Sequence, residues 1–184
     1  MPSVVVPFRG GSAKQRLAPI PEDVRATLAD AMLADVLAAC KAVGPTTLAT
    51  QPGGQGEAVE AALRGMGPGP ILVVNADVPC VRPRDLLTLL GALPEGGLAL
   101  VQANDGTTNA LALSAPHLFA PLYGPGSAGR FLARAARLDA PAAVAEIPNL
   151  ADDVDTLDDL QRLQLRCGPR TQACLLDLLV GAAP

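Results

Sequence analysis

Aromatic side chains are nearly absent, at 2% of the 184 residues, with no tryptophan and a single tyrosine. Because 49% of the residues are still hydrophobic, Ala, Leu and Val must build the core. A chain of this length buries roughly two-thirds of the surface it exposes when unfolded, which predicts a folded domain over a disordered segment. Basic residues are also scarce, 14 against 18 acids, for a formal net charge of −4. That balance argues against a sequence-independent nucleic-acid surface, which needs clustered Lys and Arg to displace counterions. Where basic residues do cluster, they carry information.

The four cysteines, Cys40, Cys80, Cys167 and Cys174, show neither C-x-x-C spacing nor an accompanying histidine pair, so they read as free thiols and not as a zinc site or a disulfide framework. Cys80 reads as a small buried packing residue. His117 is the sole histidine, with no serine or cysteine nucleophile motif beside it, and reads as non-catalytic. No apolar run approaches the ~20 residues of a membrane span. The start, Met1-Pro2-Ser3-Val4, lacks a basic n-region and a long apolar stretch. The expectation is a cytoplasmic protein without a membrane partner.

Short apolar runs alternate with longer helical patterns. Residues 3–7, 46–50, 71–74, 98–102, 110–113 and 144–147 read as strands. Residues 22–41 carry Val24, Leu28, Met32, Leu33, Val36, Leu37 and Cys40 at helical spacing. Further helices are expected over 57–64, 85–93, 127–138 and 156–166, the last with Thr156 as N-cap and Asp159 three residues on. Alternating strands and helices predict an α/β domain spanning 1–184, with a mixed, mostly parallel sheet covered on both faces. Ligands in such folds sit beyond the carboxyl ends of the strands.

Four segments carry chemistry. In Pro7-Phe8-Arg9-Gly10-Gly11-Ser12-Ala13-Lys14-Gln15-Arg16, three basic residues and paired glycines follow the first strand. Such a turn can cradle phosphate oxygens on its amides while Lys and Arg add charge; it lacks the spacing of a P-loop, and a solvated turn is the plainer alternative. In Val74-Asn75-Ala76-Asp77-Val78-Pro79 a carboxylate leaves the end of a buried strand, where its hard oxygens suit Mg²⁺. Capping of the next helix is the competing role, for which Asp85 is better placed. In Asp152-Asp153-Val154-Asp155-Thr156, Asp153 and Asp155 share a face of an extended segment, and neighbouring acids repel unless a cation lies between them. An acidic helix start explains one of these acids better than three. Finally, Thr107-Thr108-Asn109 and Tyr123-Gly124-Pro125-Gly126-Ser127 suggest an anion held at a helix N-terminus with the Ser127 hydroxyl as donor, or simply a turn with its cap.

Taken together, Val-Pro-Phe…Ala-Lys-x-Arg-Leu, Ala-Asp-x-Pro, Gly-Thr-x-Asn-Ala-Leu, Tyr-Gly-Pro-Gly-Ser and Asp-Val-Asp-Thr resemble the guanylyltransferases of coenzyme F-420 (deazaflavin) biosynthesis. These act on 2-phospho-L-lactate or phosphoenolpyruvate, and are similar to the molybdenum-cofactor guanylyltransferases. The resemblance runs from Val4 to about Leu163, and on through Gly168-Pro169-Arg170-Thr171. It implies a three-layer, Rossmann-like nucleotide-diphospho-sugar transferase fold and a GTP site in the amino-terminal half. It also implies transfer of GMP to the phosphorylated acid, with Mg²⁺ as cofactor and a homodimer as a compatible state. By position, it implies that Lys14, Arg16 and Asp77 serve catalysis and that Pro7, Arg9, Gly10, Gly54 and Ala58 join them at the nucleotide. Thr108, Asn109, Gly124 and Ser127 would meet the acceptor, and Asp77, Asp153 and Asp155 would hold the metal. The sequence departs from the family at residues 53–58, where a Leu-Asn pair is usual, and at Arg9, where lysine is common. The rival readings are a nucleotidyltransferase with another acceptor, such as molybdopterin or a sugar or alditol phosphate, and a non-catalytic nucleotide-binding module. A phosphoacceptor domain modified at Asp77 explains neither the basic loop nor the distant Asp153 and Asp155.

Overall fold

The computed structural model describes residues 1–8, 17, 20–67 and 69–181, with side chains to residue 177. Among the described residues, six strands form one sheet: β1 (Ser3–Pro7), β2 (Thr46–Ala49), β3 (Ile71–Val74), β4 (Leu98–Gln102), β5 (Thr108–Leu113) and β6 (Ala142–Val144). Their spatial order is β2-β1-β3-β5-β4-β6. β1 pairs in parallel with β2 and β3, and β4 with β6, whereas β5 runs antiparallel to both its neighbours. The sheet is therefore mixed and mostly parallel, with β5 the reversed strand. That reversal decides where the site forms. The carboxyl ends of β1, β3, β4 and β6 and the amino end of β5 lie at the same edge.

The strand pleat sorts the core into two halves. Val4, Val6, Leu72, Val74, Ala99, Val101, Ala110 and Ala112 face one side, where α1 (Glu22–Lys41), α3 (Pro83–Gly91) and α5 (Pro148–Ala151) cover them. Val5, Ile71, Val73, Leu98, Leu100, Leu111 and Leu113 face the other, against α2 (Gln55–Leu63) and α4 (Ser127–Arg137). β4 and β5 carry mostly alanines on the first face and leucines on the second, so on these two strands the bulk of an aromatic-poor core is set unequally across the sheet. Three of the four aromatics gather on the leucine side: Phe119, Tyr123 and Phe131 have ring centroids 5.6–6.2 Å apart.

A third cluster lies beside the carboxyl edge. There Leu17, Leu28, Met32, Cys80 and Val154 pack with Leu160 and Leu163 of α6 (Leu157–Leu163), and with Cys174 and Leu175 of α7 (Pro169–Gly181). The sequence pattern did not single out α7. Its anchor is remote: Asp35 of α1 accepts hydrogen bonds from the Thr171 amide and hydroxyl, both at 2.8 Å, and from the Arg170 amide at 3.2 Å. A buried carboxylate thus satisfies amides that open the helix. Several boundaries differ from expectation: β5 starts at Thr108 and not at 110, and α2 and α3 start two residues early, at Gln55 and Pro83. β6 occupies 142–144, not 144–147, because β4 pairs with it at that register and Pro148 opens a helical turn after Ile147. α6 ends at Leu163, and the residues beyond it form turns before α7. Its start is as expected, with Thr156 and Asp159 forming a reciprocal capping box.

Candidate active site at the carboxyl edge of the sheet

Asp77 stands just past β3 in a turn, half-buried, while Asp153 and Asp155 lie in the extended stretch between α5 and α6. One carboxylate oxygen from each lies within 4.8 Å of the other two. The backbones are joined too, since the Asp77 carbonyl accepts from the Val154 amide at 2.9 Å. Three carboxylates at such range repel strongly unless a cation neutralises them. An all-oxygen, hard donor set of this kind suits a divalent ion such as Mg²⁺ or Mn²⁺ and does not suit a soft metal.

The neighbouring acids are committed elsewhere. Asp152 is buried and takes Arg162 at 2.6 Å and Arg166 at 2.9 Å, with Asn104 at 3.2 Å. Burial by itself would raise the Asp152 carboxyl, but the bonds and charges of Arg162 and Arg166 outweigh it and hold the group below the ordinary carboxylate range. Arg166 also donates to Asn149, which in turn donates to Asp85 at the start of α3. This chain of bonds ties α3, α5 and α6 together around the acidic segment. Asp85 accepts from the Arg82 amide at 2.9 Å, the capping role the sequence suggested for it. Of the acids in residues 152–155, one is structural, and two are left to meet Asp77.

A polar network crosses the same edge. Gln55, at the start of α2, donates to Asn75 at 2.6 Å; Asn75 donates to the Thr108 carbonyl at 3.2 Å and to the Asn109 side chain at 3.4 Å. Asn109 continues to the Ala151 carbonyl at 3.3 Å. Thr108 and Ser127 are buried, with their hydroxyls 3.2 Å apart, so β5 and the start of α4 present one paired hydroxyl site. The loop ahead of Ser127 turns through Gly124 and Gly126 at φ +107° and +69°, values that strain any side-chain-bearing residue. Arg130 holds that loop, its guanidinium donating to the carbonyls of Leu122, Tyr123 and Pro125.

Of the nucleotide-side residues named from sequence, Pro7 ends β1 and Gly54 caps α2. Ala58 is buried in the leucine-side core and can offer a ligand little beyond the shape of α2. Arg9, Gly10, Lys14 and Arg16 lie outside the described residues. His117 sits in a short 3-10 turn whose carbonyls accept from Arg134.

No family model matches the chain. Among curated proteins, the phosphoenolpyruvate guanylyltransferase of Nocardia farcinica is 41% identical over 110 residues, covering 59% of this chain and 47% of that protein. That of Geodermatophilus obscurus is 33% identical over 212 residues, covering 98% of this chain and 95% of its relative. The chain belongs to the phosphoenolpyruvate guanylyltransferase family. Its match spans about half the length of the first relatives, 47% and 51% of the Nocardia and Rubrobacter proteins. Solved structures agree on the fold. A protein of Desulfovibrio desulfuricans classed with the nucleotide-diphospho-sugar transferases superposes at a TM-score of 0.70, with 17% identity over 96% of this chain and 95% of the other. A Mycobacterium tuberculosis protein solved with manganese gives 0.52, at 22% identity over 89% and 97%.

Within this family frame, sequence reasoning missed Gln55, Asn75, Arg130 and the Asp152 anchor. Asn75 and Asp152 stood inside motifs already singled out, and their neighbours drew the attention. Arg130 had no local signal, because its partners are main-chain carbonyls five to eight residues upstream.

Proposed function

We propose that this protein transfers GMP from GTP to phosphoenolpyruvate and releases pyrophosphate, a step toward coenzyme F-420. The observation that carries this reading is the meeting of Asp77, Asp153 and Asp155 at one edge of the sheet, in a chain aligned almost end to end with a phosphoenolpyruvate guanylyltransferase. A phosphate dianion is already a nucleophile, so the acceptor's phosphate oxygen can attack the α-phosphorus in line without a general base. Asp77, Asp153 and Asp155 would hold Mg²⁺, which supplies charge neutralisation for the triphosphate and the departing pyrophosphate. Lys14 and Arg16 are assigned to the same triphosphate, with Pro7, Arg9, Gly10 and Gly54 lining the nucleotide side.

The acceptor is assigned to Thr108, Asn109, Gly124 and Ser127. The buried hydroxyl pair of Thr108 and Ser127, beside the amides that open α4, suits an anionic group. A cytoplasmic setting goes with a reaction that draws on GTP. The deciding experiment is pyrophosphate release with GTP and Mg²⁺ against phosphoenolpyruvate, 2-phospho-L-lactate and 3-phosphoglycerate. Turnover with phosphoenolpyruvate is expected to dominate. Preference for phospholactate would change the named acid, and no release with any of the three would remove the transferase reading.

A further inference from the structure

Cys80 and Cys167 are separated by 87 residues in the chain, yet their sulfurs lie 3.9 Å apart. Both are free thiols, and both are buried, at 1% and 5% exposure. The residues beside them are joined as well, since the Pro79 carbonyl accepts from the Gly168 amide at 2.8 Å. The turn that carries Asp77 is thus attached to the carboxyl-terminal part of the chain at successive points, Asp77 to Val154, Pro79 to Gly168 and Cys80 to Cys167. The transfer chemistry uses neither thiol. A cleft of about 610 Å³ is lined by both, together with Asp35 and the basic side chains Arg82, Arg166 and Arg170, so a small oxidant can reach the pair.

The two sulfurs are not equivalent. The hydrogen bond with Cys167 is the main influence on Cys80 and lowers it, against burial, with Arg166 and Arg162 helping and Asp152 opposing. The same hydrogen bond, then burial, pushes Cys167 up. One sulfur is favoured as the attacking thiolate and the other as the resolving thiol.

We propose that Cys80 and Cys167 form a peroxide-sensitive dithiol whose reversible disulfide displaces the Asp77 turn and weakens the metal site. In the first step the Cys80 sulfur attacks one peroxide oxygen and the O–O bond breaks. The departing hydroxide is protonated to water, leaving a sulfenic acid on Cys80. The Cys167 sulfur then attacks the Cys80 sulfur, the S–O bond breaks, and a second water leaves with the Cys167 proton. Two thiols and one peroxide give one disulfide and two waters, and the two sulfurs together lose the two electrons that peroxide gains. A disulfide requires sulfurs at about 2.05 Å, so they must close nearly half of their present separation of 3.9 Å. Closing that gap turns both cysteine side chains and pulls on the turn between Asp77 and Arg82, which is tied to the same carboxyl-terminal segment through the Pro79–Gly168 bond. The disulfide stands on the cysteine geometry alone, whereas its effect on the metal rests on the proposed function.

The full chain is treated with a slight excess of hydrogen peroxide and read in two ways. Thiol titration and peptide mapping should show two of the four thiols lost, with a Cys80–Cys167 crosslink that dithiothreitol reverses. Mn²⁺ binding, followed by electron paramagnetic resonance, should weaken at least threefold on oxidation and recover on reduction. Cys167→Ser, with Cys80→Ser as a second variant should the first not fold, should show no crosslink and keep its Mn²⁺ affinity through peroxide treatment. Four persisting thiols, a crosslink through Cys40 or Cys174, or equal Mn²⁺ affinity in both redox states overturns the proposal. A reduced protein that binds no Mn²⁺ overturns the metal reading instead, while the crosslink map still decides the dithiol.

Discussion

The backbone carbonyl of Asp77 accepts a hydrogen bond from the Val154 amide at 2.9 Å, so the two segments that carry the acidic triad are fastened to each other independently of any ion. A site built this way is held in place before metal binds, which lowers the ordering cost of binding. The same bond keeps Asp153 and Asp155, on either side of Val154, aimed at the Asp77 turn.

The carboxylates can therefore be tested without dismantling the fold. Asp77→Asn and Asp153→Asn each remove one charge and keep the shape. Each should lower pyrophosphate release by about 100-fold or more, the range seen when a single group stabilising the transition state is lost. Far-UV circular dichroism should stay unchanged. Near wild-type turnover in either variant would show that its carboxylate is not in the reaction.

Arg130 should act through position. Its guanidinium spans the carbonyls of Leu122, Tyr123 and Pro125, a fan that an ammonium on a lysine stem cannot reproduce. Arg130→Lys and Arg130→Ala should both raise KM for phosphoenolpyruvate by roughly tenfold, about the loss of one charged hydrogen bond's worth of ordering, with KM for GTP little changed. Steady-state kinetics in each substrate checks this; an equal rise for both would point to general loosening of the fold.

Asp35 should matter for stability and not for chemistry. Asp35→Ala leaves the buried Thr171 amide and hydroxyl without their acceptor, at a cost of about 2 kcal/mol. For a chain of this size that lowers Tm by roughly 4–8 °C. Gly168→Ala should do comparable harm from the other side, because a Cβ there would collide with the Asp35 carboxyl group. Thermal melts of both variants provide the measurement, and a Tm unchanged within error would detach α7 from this anchor.

Acid should unfold the protein partly through Asp152. Arg162 and Arg166 hold its carboxyl below the ordinary range despite burial. The stabilisation is complete above the unfolded-state pKa of ~3.9. It fades as pH falls further, through the depressed folded-state value. Because the two arginines are 47% and 42% exposed, salt should weaken the contribution. In Asp152→Asn, urea midpoints measured between pH 7 and pH 3 should fall less steeply than in wild type. A parallel decline in both proteins would mean that other carboxylates set the acid limb.

Much of this architecture was legible in the chain. The apolar run 71–74 and the run 98–102 coincide with β3 and β4, because buried strands cannot dilute their hydrophobicity. The helical spacing of 22–41 matches α1, since one stripe of that helix must face the sheet. The Thr156–Asp159 box is a local hydrogen-bond pattern and needed nothing distant. By contrast, α7 depends on Asp35, over 130 residues away, and the place of β6 depends on its register with β4. The reading of the loop containing Arg9, Gly10, Lys14 and Arg16 rests on its residue types and on the resemblance, since these positions lie outside the described residues.

What the sequence determined by itself was most of the inventory: the strands, the helices other than α5 and α7, which acids and hydroxyls can do chemistry, and which family they resemble. The elements and the chemistry follow from periodicity, local hydrogen bonding and residue type, which act over a few positions, whereas the family follows from the resemblance of its motifs. What only the tertiary structure decided was convergence. β5 is reversed among parallel neighbours, a choice its uniformly buried pattern does not encode, and the reversal brings Thr108 and Asn109 to the edge where Asp77 emerges. Arg162 and Arg166 take Asp152 out of the acidic cluster, leaving Asp153 and Asp155 for Asp77. Packing and pairing between distant stretches brought Asp77, Asp153 and Asp155 together at one edge of the sheet.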